Sequence, residues 1–258
     1  MKHSLLRRIA VGAVAAGAAT GMVVMIPSAA FAAPSANTAA PPTTSSTQVS
    51  NPFCTPTTFG SAQQLVEADL AARVTQLNTV LLVAADNTAN HLTGGDRSTL
   101  QNDISNVELP GIQALQTQVQ SVTTCMGLRA VAHSMVFNYR VYLVMTPQTH
   151  LTIVIDDETY IEGVFVNLEP QIATAIQNAQ AAGKNVTAAQ AAFTDLKNQV
   201  SAAQGATNGQ SALILAQTPT GFPGNWNVFL TARTNATNAH SDLRQAYTDA
   251  ESIRTDLQ

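Results

Sequence analysis

The stretch NYRVYLVMTPQTHLTIVIDDETY, residues 138–160, is apolar on nearly every side of a helix, carries a proline at 147 and runs into Asp156-Asp157-Glu158. Its β-branched and aromatic halves, RVYLVM and HLTIVI, also fit two strands joined at Thr146-Pro147-Gln148-Thr149. No other segment offers a strand to pair with them, and an isolated hairpin is marginal in water. A membrane span fails as well, because TPQTH splits the apolar run into parts far too short. A helix remains, and a helix segment apolar all round is one buried on all sides.

The flanking residues give that helix two faces. Before the proline the stripe is Leu128, Val131, Met135, Tyr139 and Tyr142; after it, Leu151, Val154, Ile161, Phe165, Leu168 and Ile172. In heptad register the two stripes differ by roughly 150°. Both faces need to be apolar together only around residues 141–155, which marks the joint where one long helix, Leu128 to Gly183, changes partners. Pro147 and Pro170 are expected to kink it, with termination at either proline as the alternative. Asp156, Asp157, Glu158 and Glu162 then signal the return of a solvent-facing side.

The rest of the chain reads as four more amphipathic helices. A first begins at the capping box Ser61-x-x-Gln64, carries Val66, Leu70, Leu77, Leu81, Ala84, Thr88 and Leu92, and stops at Gly94-Gly95. A second is capped by Thr93-x-x-Asp96, carries Leu100, Ile104, Val107, Ile112, Leu115, Val119 and Val122, and is expected to bend at Leu109-Pro110-Gly111. Beyond the Gly183 stop, Thr187-x-x-Gln190 caps a helix with Phe193, Leu196, Val200, Ala203 and Ile214. After TPTGFPGN a final helix carries Phe229, Ala232, Ala236, Ala239, Leu243, Ala246, Ala250, Ile253 and Leu257.

The predicted fold is therefore all-α: an elongated antiparallel helical bundle over residues 59–258, with sub-bundles about 59–146 and 147–258 sharing a long kinked central helix. Each would be about 45 to 50 Å long. One compact bundle around the third helix is the alternative.

Upstream, Lys2, Arg7 and Arg8 precede an apolar run and the small-residue site Ala30-Phe31-Ala32, the pattern of a signal peptide over residues 1–32. An uncleaved anchor is the alternative. Ala10 and Val11 do not fit a twin-arginine signal, so general secretion is expected. Residues 33–58, rich in Pro, Ser, Thr and Ala, read as a disordered spacer. Cleavage would remove three of the 12 basic residues and none of the 16 acidic ones, taking the net charge from −4 to −7. Such a balance disfavours nucleic acid and anionic membranes as partners. The expected location is secreted, with loose cell-wall association allowed. In that compartment the only two cysteines, Cys54 and Cys125, are expected to form a disulfide, since the antiparallel layout brings both to one bundle end.

Chemistry is thin by comparison. His150 and Asp157 lie seven apart on one face, and Glu158 and Glu162 four apart, so a metal clamp is conceivable there; one His and scattered carboxylates fall short of a ligand set, and a solvated face is expected. No HExxH, GxSxG, GxGxxG or P-loop occurs, and Gly183-Lys184 reads as a helix end. Tyr139 and Tyr142 around Arg140 are expected in the core and Trp226 as a cap on the bundle end, while His91, His133 and His240 look isolated. No catalytic, cofactor-binding or metal residue is assigned.

YRVYLVMTPQTHL, AAGKNVTAAQAAFTDLKNQV, the TP...FPGN loop and ARTNATNAHSDLRQAYTDAESI resemble stretches of uncharacterised secreted, alanine-rich helical proteins of high-GC Gram-positive bacteria (actinobacteria). The likeness covers most of the mature chain, implies a coiled-coil-like fold and brings no activity with it. The expectation is a secreted or envelope-associated non-enzymatic helical protein, a structural or interaction module whose partner the sequence leaves unnamed. The alternative is an extracellular small-ligand or metal-binding protein with a site near His150 and Asp157.

Overall fold

The computed structural model describes residues 54–86 and 88–258. The expected signal peptide and all of the spacer before Cys54 lie outside the described residues. Among the described residues the fold is an all-α helical bundle without strands, so the helical reading of 138–160 holds over the hairpin. Its α-helices are α1 (Phe59–Ala85), α2 (Gly94–Asn102), α3 (Leu109–Ser121), α4 (Cys125–Phe137), α5 (Thr146–Ala181), α6 (Thr187–Thr207), α7 (Gln210–Leu215) and α8 (Trp226–Asp256). None of them is long and apolar enough to cross a membrane.

Two of the prolines set the local geometry in the same way. A proline lacks the N–H that would bond four residues back, and its ring crowds that carbonyl. Ahead of Pro110 the chain widens into a π turn, Asp103–Glu108, and ahead of Pro147 into another, Val141–Met145. Each proline then sits in the first turn of a regular helix, α3 or α5, where its missing donor is not needed. Pro170 instead lies inside α5, which continues through it.

The π turns change which residues face inward, and here the structure corrects the sequence stripes. In the first, Ile104 and Glu108 are buried, in line with Ile112 of α3, while Val107 is exposed. In the second, Val141, Val144 and Met145 are buried and Tyr142, expected in the core, is exposed. The long third helix is also interrupted before its proline: α4 ends at Phe137, and Arg140 adopts a left-handed conformation with φ 40°.

Other ends follow residue chemistry. Thr93 caps α2 as expected, its hydroxyl accepting from the Asp96 N–H at 3.1 Å. Asp86 ends α1 well short of Gly94, folding the chain back by accepting from the Thr88 and Ala89 amides. Gly183, at φ 80°, closes α5; the Lys184 N–H reaches the Ala179 carbonyl and the Gly183 N–H the Gln180 carbonyl, a Schellman motif. Ser61 and Thr187 cap nothing, since the helices start at Phe59 and Thr187. Gly209, at φ 71°, separates α6 from α7, so the fourth predicted helix is two.

Two principal apolar cores form among the described residues. The first joins α1, α3, α4, the second π turn and the start of α5 with Ile214, Phe229, Ala232 and Ala236. The second joins Phe165, Ile172 and Ile176 of α5 with α6 and the later part of α8, from Ala239 to Ile253. Leu151 and Ile155 belong to the first, so that core draws on both sides of Pro147, and α8 as well as α5 serves both. A disulfide joins Cys54 to Cys125, with Cα atoms 5.6 Å apart, fastening the chain ahead of α1 to the first residue of α4.

Candidate functional site

The densest polar chemistry lies on α5 between the two cores. Gln148, Thr149 and Thr152 are buried there among Leu151, Ile153 and Ile155. A buried polar group without a hydrogen bond costs free energy; both threonine hydroxyls and the Gln148 Nε2 have partners, while the Gln148 Oε1 has none. The threonine hydroxyls donate to the carbonyls one turn back, Met145 and Gln148, at 2.9 and 2.8 Å. The Gln148 amide donates to the carbonyls of Ile214, Leu215 and Gln217 at 3.0 to 3.1 Å, at and just beyond the C-terminal end of α7. The polar TPQTH is thus an inward-facing cap for another helix.

The acidic run comes next, and its expected solvent exposure is overturned. Asp156, Glu158 and Glu162 are 5%, 5% and 4% exposed. Together the carboxylates reach four other segments of the chain. Asp156 accepts from the Ser211 hydroxyl of α7 at 2.6 Å and from the Thr93 amide at the start of α2 at 2.9 Å. Asp157 accepts from the His91 amide at 2.6 Å and lies 3.0 Å from its Nδ1. Glu158 pairs with His240 of α8 at 2.9 Å, and Glu162 accepts from the Thr207 hydroxyl of α6 at 2.9 Å.

Burial dominates the electrostatics. It pushes the Asp156 carboxyl above the usual range, partly opposed by the Ser211 and Thr93 hydrogen bonds, with nearby Asp96 raising it further. Burial raises Glu162 too, against the Thr207 hydrogen bond and with help from the Glu158 charge. His240 is raised, chiefly by its hydrogen bond to Glu158 and against its own burial. Burial lowers His150.

The residues singled out from sequence separate accordingly. His150 and Asp157 share no hydrogen bond or ion pair; Asp157 belongs with His91, whose ring also stacks on Tyr160 at 3.7 Å. His91 and His240 are therefore not isolated, and His133 stacks on Phe137 at 4.4 Å. Sequence missed these pairs because His91 and Asp157 are 66 positions apart and His240 and Glu158 are 82 apart. Among the described residues no group of three or more His, Cys, Asp or Glu side chains is arranged to hold a metal ion. A cleft of about 670 Å³ runs beside the carboxylates, lined by Asp96, Asp156, Glu162, Gln204, Thr207 and Ser211.

The Glu158–His240 pair yields a pH prediction. His240 is raised above its ordinary 6.5, so the pairing stabilises fully below that value and fades as pH rises through the folded pKa. The stability difference between the native chain and His240→Gln is expected to shrink as pH climbs from about 6 to 9, read from urea melts. A difference independent of pH would refute it.

Fold and site together define an all-α helical bundle stabilised by a disulfide and organised around buried carboxylates. No protein-family model, curated protein or solved structure matches the chain.

Proposed function

We propose that the protein is a non-enzymatic helical module of the cell exterior, secreted or held at the envelope, that acts by presenting a rigid surface to a partner. The observation that carries this reading is the use of the α5 carboxylates. Asp156 and Asp157 tie α5 to the turn at His91 and Thr93, Asp156 also to α7, Glu158 to α8 and Glu162 to α6, so the side chains best suited to acid–base or metal chemistry are engaged in joining the fold. The disulfide supports an oxidising compartment. The metal-binding alternative at His150 and Asp157 has less to stand on, because Asp157 is paired with His91 and shares no hydrogen bond or ion pair with His150.

Cross-linking in intact cells, followed by separation of envelope and medium, tests the proposal. A substantial envelope fraction with a reproducible cross-linked partner is expected. Protein found only free in the medium and linked to nothing would overturn it.

A further inference from the structure

We infer that Arg140 is the core of a carboxylate-binding site, taking a carboxylate carried on an apolar body such as the C-terminal residue of a partner polypeptide. Arg140 is the one non-glycine residue with positive φ among those described. Leaving a helix through the left-handed region is ordinarily left to glycine or asparagine, and an arginine there costs roughly 1 to 2 kcal/mol. Its carbonyl accepts from the Leu143 and Val144 amides at 3.0 and 2.8 Å, which fixes the backbone between α4 and the second π turn. The costly residue is therefore held in place, and its side chain is what glycine would lack.

That side chain is preorganised. Its guanidinium carbon lies 5.0 Å from the Phe137 ring centre and 4.7 Å from that of Phe222, so rings from two distant segments hold it. Phe222 is itself braced edge-on by Trp226 at 5.9 Å. Much of the rotamer freedom a binding arginine normally loses is gone before a ligand arrives. Yet the guanidinium has no ion pair or hydrogen-bond acceptor among the described residues, and its Nε is sealed without a partner. A chain of net charge −4 leaves this cation uncompensated while its 16 acids outnumber its 12 bases.

The ligand class follows from the donors and their rim. Arginine's planar fork matches a carboxylate with two parallel N–H bonds. A single cation in an acidic protein suits a monoanion better than a doubly charged phosphate. Phe137, which is exposed and lies against the guanidinium, offers apolar surface to the body that carries the carboxylate. This names a partner chemistry for the interaction-module reading, but binding in solution stands or falls independently of envelope retention.

Trp226, the only tryptophan, adjoins the site and can report on it. The intact protein is titrated with N-acetyl-leucine, N-acetyl-leucinamide and inorganic phosphate while its fluorescence is followed. A saturable change with N-acetyl-leucine is expected, absent with the amide, weaker with phosphate, and at least tenfold weaker in affinity in Arg140→Gln. Arg140→Gly, which suits the left-handed backbone, carries the same test should the glutamine variant unfold. An equal response to the amide, tighter binding of phosphate, or unchanged affinity in either folded variant overturns the assignment.

Discussion

Replacing Cys54 and Cys125 together by serine is expected to lower the stability of the bundle by about 4 kcal/mol. The bridge closes a loop with a sequence separation of 71, and on the chain-entropy account such a cross-link removes that much freedom from the unfolded chain. The loop holds α1, α2 and α3, whose helices already pack into the first core, so most of the effect acts on the unfolded state. For a chain of this size the loss corresponds to a melting temperature lower by about 8 to 16 °C. Calorimetry of the double variant against the native protein measures it, and a shift under about 3 °C would show that the bridge constrains little. Cys54 is 5% exposed and lies within the first core, so serine there adds a modest further penalty in the same direction.

Glu108→Gln is expected to stabilise the protein, and increasingly so as pH rises. Glu108 is 4% exposed, its Oε2 has no hydrogen-bond partner, and burial, with the Asp103 charge second, raises its pKa from 4.5 to about 8. The folded chain thus keeps a proton that the unfolded chain has released. Stability falls as pH climbs from about 4.5 to 8 and levels off above, the direction opposite to a salt-bridged carboxylate. Glutamine has nearly the same shape and no proton to lose. Each pKa unit corresponds to about 1.4 kcal/mol, and local relaxation with water entry reduces the full figure, leaving on the order of 2 to 3 kcal/mol at pH 8. Urea melts at pH 5 and pH 8 test this, and a variant that tracks the native protein at both would refute a buried, neutral Glu108.

Glu108 also shows where the sequence stops being legible. The repeat places Val107 in the core and leaves Glu108 on a polar face, because a regular α-helix is assumed through Pro110. The π turn ahead of that proline exposes Val107 and buries Glu108. The same device ahead of Pro147 turns Tyr142 outward and Val141 and Val144 inward. The signal was present in the two prolines, since the carbonyl four residues back must be accommodated. Whether the helix kinks, ends or widens there depends on what packs around it.

The candidate site was half legible. Position and composition singled out Asp156, Asp157, Glu158 and Glu162, but one helix face of acids reads as solvated. Their engagement, and the burial of all but Asp157, depends on partners from remote segments: Thr93, His91, Ser211, Thr207 and His240. Nothing local to any of those residues announces the pairing.

The sequence alone determined the class of fold. Its 3-and-4 apolar spacing, the Thr93 cap, the Gly183 stop and an apolar stretch too short for a membrane left an all-α bundle, and the only two cysteines left one possible bridge. Tertiary structure decided the phase of the helices after each π turn, the left-handed Arg140 between Phe137 and Phe222, and the burial of the acids on α5. The reason is one of range. Helix formation answers to residues three and four apart, whereas desolvating a carboxylate or clasping a guanidinium depends on groups that only the folded chain brings together.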